Sequence, residues 1–352
     1  MRPLVIPFFI PHAGCPNTCT FCDQRLLSGS RPPLPEPEQI QHTVEQWLHR
    51  SPGRPAEVAF FGGSFSLLPV ETQRILLGSV RRFIDDGQLS GVRISTRPDA
   101  LEDEILNFLR EYGVRTIEVG VQSLDDQVLQ RCNRGHSASD AVQGIARVAD
   151  AGFQVGAQLL PGLPGDTLQT AVQTVHTVID AGAQFLRIYP AVVLSGTQLA
   201  QLFQAGEYTP PDLAQGVQIC ARMLHICLQK GIPVIRIGLQ ADESLQHENT
   251  ILAGCWHPAL GQLVRSELYY DLICKLTTES VTNEPFTLIC HPRSLSEVVG
   301  NRRHNLKRLQ QQGIIINHIS SDSSLEAATI VLKQFTYHRI GSIITDLYYK
   351  EC

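Results

Sequence analysis

The chain has 352 residues, 43% of them hydrophobic and 18% charged, with 29 Lys+Arg against 34 Asp+Glu and a formal net charge of -5. That length holds one large domain plus a smaller one with ample core, and the acidic balance excludes a globally basic nucleic-acid binder while leaving room for a local basic patch. No apolar run approaches the roughly 20 residues that span a bilayer, and the proline-interrupted start MRPLVIPFFIPHAGC has no signal-peptide cleavage site.

The expectation is therefore a cytoplasmic protein with no membrane partner. Ten cysteines are present, but outside one triplet they are scattered at Cys132, Cys220, Cys227, Cys255, Cys274, Cys290 and Cys352. Without a secretory signal these read as free thiols in a reducing compartment, mostly buried as small hydrophobes.

The apolar run from Leu4 to Ile10 reads as a first strand, and it delivers the loop GCPNTCTFC, residues 14–22. Cys15, Cys19 and Cys22 fall there in a C-x3-C-x2-C pattern. Three thiolates can hold three irons of a 4Fe-4S cluster and leave the fourth open to a cofactor or substrate. A structural zinc site normally has four protein ligands, and His12 is the neighbour that would complete a Cys3His set. The open cluster fits the spacing better.

A proline-rich connection, RPPLPEPEQ, leads into a helix near Gln39 to His49. Short apolar runs then alternate with segments of helical period. Strands are expected at Val58 to Phe61, Val92 to Thr96, Thr116 to Val121, Val155 to Leu160, Phe185 to Ile188 and Val234 to Ile237. Helices are expected near Val70 to Asp85, Leu101 to Glu111, Ser139 to Ala151, Thr167 to Ala181 and Pro211 to Gln229, several ending in a glycine. Such alternation implies parallel strands joined by right-handed crossovers. A full or incomplete barrel and a doubly wound sheet both satisfy it. Either way ligands gather at the carboxyl ends of the strands.

Several segments at those ends carry chemistry-bearing residues. The second strand closes in FFGGSF, where Gly62 and Gly63 let a backbone approach a ligand closely. Ser95, Thr96 and Arg97 end the third strand. In the fourth unit, IEVGVQSLDDQVLQRCNRGH, Gln122 follows the strand and Arg134 and His136 precede the next helix. An arginine suits a carboxylate through its bidentate fork, whereas His136 reads as structural. Gln158 ends the fifth strand before GLPGDT, a turn in which Asp166 or Thr167 caps the next helix.

The cysteine pattern, with the aromatic Phe21 before its last cysteine, resembles the radical S-adenosylmethionine (radical SAM) superfamily. GGSF matches the glycine motif of that superfamily's second strand. The resemblance implies a partial (β/α)6-type TIM-like barrel and a 4Fe-4S cluster on Cys15, Cys19 and Cys22. It also implies a bound S-adenosylmethionine that is cleaved to a 5′-deoxyadenosyl radical, with ferredoxin or flavodoxin as electron donor. Gly62, Gly63, Ser64, Ser95, Gln122, Arg134 and Gln158 are the cofactor-binding candidates it implies.

The fourth unit resembles the elongator catalytic-subunit type and the related oxygen-independent coproporphyrinogen oxidases, in which residues matching Gln122 and Arg134 contact S-adenosylmethionine. The segment LRIYPAVVLSGTQLAQLFQAGEYTPPDL is similar to the end of the elongator barrel, with Tyr189, Gly196, Thr197 and Tyr208 in matching places. Four departures stand beside this. Ser95 replaces a glutamate frequent in relatives, and Gln158 an aspartate of the porphyrin-oxidising ones. The C-x3-C interval is shorter than the elongator one, and no acetyltransferase pattern follows Gln240.

The rhythm changes at about that point, which divides the chain into a barrel over residues 1–240 and a small C-terminal α/β appendage over 241–352. In the appendage a helix is expected at Pro258 to Leu276, a strand at Phe286 to Cys290, a helix at Arg302 to Gln312, and strands at Ile314 to Ile319, Ala328 to Phe335 and Ile340 to Leu347. Arg293, Arg302, Arg303, Lys307 and Arg308 face the single acid Glu297 there, a solvated helix face or a contact for RNA phosphates. Trp256, His257 and Tyr269 read as packing residues or as a cover for the barrel exit. Modification of tRNA is the leading expectation for the substrate. A porphyrin or other small molecule, and a non-catalytic cluster- or heme-binding protein, are the alternatives.

Overall fold

The computed structural model describes residues 4–10, 12–16, 18–22, 33–239, 250–278, 284–335 and 337–349. Seven parallel strands form its main sheet. They are β1 (Leu4–Phe9), β2 (Ala56–Phe61), β3 (Val92–Thr96), β4 (Val114–Gln122), β5 (Gln154–Leu159), β6 (Phe185–Ile188) and, after a short β7 (Val192–Leu194), β8 (Val234–Ile237). Their spatial order is β1-β2-β3-β4-β5-β6-β8. Sheet order following chain order is the mark of a barrel, because a doubly wound sheet reverses at a switch point.

The sheet curls. Arg187 on β6 lies over the Phe61 ring of β2 at 5.3 Å, a contact across four strand spacings that a flat sheet forbids. β1 and β8 are its two edges, so the barrel is open between them. Strand alternation divides the side chains into two sets. Ile6, Val58, Phe60, Ile94, Ile117, Val119, Val155 and Leu159 are buried under helices on the outer face. Glu57, Arg93, Ser95, Glu118, Gln158 and Arg187 join one another on the inner one.

The outer helices start where cap residues allow. Ser137, Thr167 and Asp212 each make a capping box ahead of Ala138–Asp150, Leu168–Asp180 and Leu213–Gln229. The helix expected from Val70 to Asp85 is two, Val70–Gly78 and Arg81–Asp85. Ser79 donates its hydroxyl back to the Leu76 carbonyl at 2.6 Å, a local bond that competes with helix continuation next to Gly78.

Beyond the barrel, β9 (Ile251–Gly254) pairs antiparallel with β7 as a two-stranded ribbon that the periodicity does not reveal, both strands being very short. Helix Leu260–Thr277 packs between Leu213–Gln229 and a second sheet of β10 (Phe286–Cys290), β11 (Ile316–Ser321), β12 (Thr329–Gln334) and β13 (Tyr337–Ser342), in the order β11-β10-β12-β13. The last strand therefore lies earlier than the expected Ile340 to Leu347. Ile343 and Leu347 belong to the turn after it and are buried in the main core, which is why their apolar run looks like a strand. That core is continuous across both sheets, from Ile6 through Leu224 and Leu268 to Leu288 and Ile330. The boundary expected at residue 240 lies outside the described residues. Among those described, no helix is long and apolar enough to cross a membrane.

Candidate active site

The cysteine loop is laid against the carboxyl edge of the sheet and tied on both sides. On the β2 side, His12 N donates to Gly62 O at 3.2 Å and Ser64 N to Ala13 O at 2.9 Å. On the other, Thr20 N donates to Cys132 O at 3.1 Å, the Asn133 amide to Thr18 O at 3.0 Å, and Leu199 N to Thr20 O at 2.8 Å. Phe21 packs into two small apolar clusters with Val128, Leu163, Val193 and Leu199. Two glycines are required by this closeness. A Cβ on Gly63 would stand 2.3 Å from Ala13 O, and one on Gly14, whose φ is +74°, 2.2 Å from Ser64 O.

The ties bring the sequence candidates together. Cys15 Sγ lies 3.5 Å from Ser64 Oγ, and Arg134 Nη1 donates to Cys19 Sγ at 3.3 Å. Cys19 is buried and Cys15 and Cys22 are half-buried, and none of the three is in a disulfide. Arg134 also donates to Gly120 O at 2.6 Å. Arg97 is held by both oxygens of Asp99, at 2.9 and 2.7 Å, and donates to the Arg134 carbonyl at 2.6 Å. Its place is therefore behind Arg134 as a support.

Gln122 is buried with φ at +71°, in the left-handed region unusual for a side chain of its size. Such backbone persists where the surroundings enforce it, and it clusters at ligand sites. Gln122 Oε1 and Arg134 Nε are buried with no hydrogen-bond partner. Buried polar atoms are rarely left so. His136 is buried beside them and held neutral, near pKa 3, by burial first and then by the charges of Arg134 and Arg97.

Below this rim the inner face carries a charge network that the sequence reading did not single out. Glu118 is fully buried and accepts from Arg93 Nη1 at 2.7 Å, Arg187 Nη2 at 2.9 Å and the Gln158 amide at 2.8 Å. Arg93 also donates to Glu57 at 2.7 Å. Gln158 donates in addition to Ser95 Oγ at 3.3 Å, so the two residues that depart from the usual acids bond to each other. The legible signal was a single charge in each of three apolar parallel strands, IEVG, VRIS and FLRI, where near-continuous hydrophobicity is the rule.

Three thiols on one loop, a glycine-lined backbone, and unpartnered amide and guanidinium atoms suit an iron–sulfur cluster with a small zwitterion beside it. Among the described residues no three His, Cys, Asp or Glu side chains converge as they would on a single ion. Cluster ligands have no need to, since each cysteine binds a different iron. Cys132, Cys227 and Cys255 are each pushed up to about 12 by burial and stay protonated.

Comparison with known proteins decides the family. The Radical SAM superfamily profile matches residues 9–178, and a Radical_SAM C-terminal domain profile matches residues 183–270. The chain belongs to the radical SAM superfamily. An uncharacterised protein of Methanocaldococcus jannaschii is 28% identical over 223 residues, 62% of this chain and 66% of that one. The tRNA uridine(34) acetyltransferase of Methanocaldococcus infernus is 30% identical over 129 residues, 36% of this chain and 24% of its own length. The chain thus spans from about a quarter to about two thirds of these relatives. In structure it is similar to the archaeal Methanocaldococcus infernus Elp3, with a TM-score of 0.59 at 22% identity, covering 75% of this chain and 62% of that one. The shared radical SAM fold is the partial barrel plus appendage.

The remaining candidates fall outside the rim of this superfamily site. Thr167 caps its helix, while Asp166 accepts from Gly162 N at 2.7 Å and braces the turn. Thr197 caps Gln198–Gln204, and the Tyr208 hydroxyl donates to Gly162 O at 2.6 Å. Tyr269 is buried in the core, donating to Ala327 O at 2.5 Å, and Trp256 packs on the β7–β9 ribbon. Arg308 leaves the basic set: it forms a two-pronged pair with Glu267 and stacks on Tyr270 at 3.6 Å. Arg293, Arg302, Arg303 and Lys307 are exposed.

Proposed function

We propose that the chain is an enzyme that binds a 4Fe-4S cluster on Cys15, Cys19 and Cys22 and cleaves S-adenosylmethionine. The observation that carries this is the meeting of the cysteine loop with Gly63, Ser64, Gln122 and Arg134 at one edge of the sheet, Arg134 touching Cys19 itself. A cluster held there would supply the electron for reductive cleavage of the sulfonium of S-adenosylmethionine.

The chain's own residues bind and orient. The Gly62–Ser64 backbone would hold the amino group, and Arg134 would offer a planar donor fork to the carboxylate. Gln122 offers its unpartnered carbonyl oxygen to a donor on the cofactor. Gln158, whose amide nitrogen is already spent on Glu118 and Ser95, keeps its own oxygen as an acceptor for a ribose hydroxyl. Buried Arg97, itself held by Asp99, anchors the Arg134 backbone through its carbonyl. The Phe21 clusters keep water from the cysteine loop.

A tRNA substrate is supported by the relative that acts on tRNA uridine and by the exposed Arg293, Arg302, Arg303 and Lys307. Ferredoxin or flavodoxin is the electron donor this chemistry calls for, and the cytoplasm the compartment. The test is anaerobic reconstitution with iron and sulfide, then dithionite and S-adenosylmethionine, with and without bulk tRNA. 5′-Deoxyadenosine is expected, in larger amount with tRNA. Formation that tRNA leaves unchanged would remove the RNA part of the reading.

A further inference from the structure

The inner face of the barrel holds one guanidinium that the charge network does not use. Arg236 on β8 is the register partner of Arg187 on β6. Its neighbour Ile237 turns to the helix side, where Gly261 lies against its Cβ, so alternation turns Arg236 inward. Arg93 and Arg187 have Glu57 and Glu118 as partners. Arg236 has no carboxylate partner among the described residues and is half-buried. The face therefore carries three guanidiniums against two carboxylates.

Two further features surround it. Tyr189 accepts a bond from Arg187 Nη1 at 3.3 Å, which leaves its O–H free to donate. Burial keeps that phenol protonated, against the pull of Arg187 and Arg236. Across the open seam, Phe9 on β1 is 55% exposed although it sits on a barrel strand. Its ring leans on Phe61, centroids 6.5 Å apart, and Phe61 in turn lies under Arg187. An exposed aromatic edge and an unpaired guanidinium thus flank the opening between β1 and β8.

We propose that Arg236 and the Tyr189 hydroxyl form an anion-binding handle for the substrate, and that the substrate carries a carboxylate or phosphate beside a flat unsaturated ring that packs on Phe9. An arginine fork with a hydroxyl beside it matches a planar or tetrahedral oxyanion, as a lone ammonium would not. A free phenylalanine face takes a ring by offset stacking. A nucleotide and an aromatic carboxylic acid share this chemistry. The inference deepens the enzymatic reading above and rests on it for calling the ligand a substrate.

The test is calorimetric titration of the anaerobic, cluster-loaded full chain with S-adenosylmethionine present. Two matched probe pairs are used: uridine 5′-monophosphate against uridine, and benzoate against benzamide. The anionic member of at least one pair binds tighter by about tenfold or more, as a hydrogen bond to a charged group requires, and the preferred pair tells nucleotide from acid. Arg236→Gln removes that preference, Arg236→Lys, which keeps the charge but loses the fork, retains only a small part of it, and Phe9→Ala weakens both members of the preferred pair alike. Arg236 has no partner to orphan, so these variants fold. Absence of an anion preference in both pairs, or its survival in Arg236→Gln, overturns the proposal. If the unaltered protein forms no 5′-deoxyadenosine yet keeps the preference, the enzymatic reading fails and the handle stands.

Discussion

Glu118→Ala removes the hub of the inner network. In the native barrel this fully buried carboxylate offsets Arg93 and Arg187 together and fixes the Gln158 amide. After the substitution Arg93 still has Glu57, but Arg187, with its side chain 13% exposed, is left without a carboxylate. Removing one partner of a buried pair costs about 3–5 kcal/mol because the other charge stays buried. With a urea slope of about 3 kcal/mol per molar for a chain of this size, the unfolding midpoint falls on the order of 1 M. Far-UV circular dichroism under anaerobic conditions reads it. The reasoning also fixes a second variant. In Glu118→Leu/Arg187→Met neither member of the pair leaves the other's charge behind and Arg93 keeps Glu57, so most of the loss is recovered. A Glu118→Ala midpoint indistinguishable from the parent, or a double variant no better than the single one, would refute the network as the source of the effect.

Other perturbations follow from the same geometry. Gly63→Ala puts a methyl 2.3 Å from Ala13 O and 2.7 Å from Ile10 O, both rigid backbone. Iron bound after reconstitution drops well below half, while Gly78→Ala, which meets nothing within 4 Å, keeps a full complement. His136 is held neutral, near 3, in the folded chain and protonates near 6.5 once unfolded. Stability is therefore complete above pH 6.5 and declines as pH falls toward 3, by at most about 1.4 kcal/mol per unit. His136→Asn flattens that decline in acid-range denaturation curves, and an unchanged slope rejects the assignment. Arg308→Ala leaves Glu267 buried without its two-pronged partner. It lowers stability by about 1–3 kcal/mol, seen as a lower thermal midpoint.

Much of this was legible in the residues because local rules and tertiary demands agree. The strand–helix alternation gave the parallel sheet with its helices, the resemblance gave the partial barrel, and Cys15, Cys19, Cys22 and the Gly62–Gly63 pair stand out whatever the surroundings. Gln122 and Arg134 were found through resemblance, and the structure gives the physical content: a left-handed backbone at Gln122 and a guanidinium laid on Cys19. What stayed hidden depends on contacts between distant strands. Glu118, Arg93 and Arg187 are 25 or more residues apart in the chain, and only the order of the strands in the sheet brings them together. The β7–β9 ribbon pairs three- and four-residue segments that carry no period. Arg308 looked like one more basic residue on a helix because Glu267, its partner, lies 41 positions away.

The central claim is that one edge of this sheet gathers a cluster and S-adenosylmethionine for radical chemistry. The most direct measurement is 5′-deoxyadenosine released by the anaerobically reconstituted, dithionite-reduced chain, beside Cys19→Ala treated identically. The account predicts product from the first and none from the second, with iron lost in parallel. A fully loaded cluster that releases no 5′-deoxyadenosine, or a Cys19→Ala protein that keeps both iron and product, would contradict it.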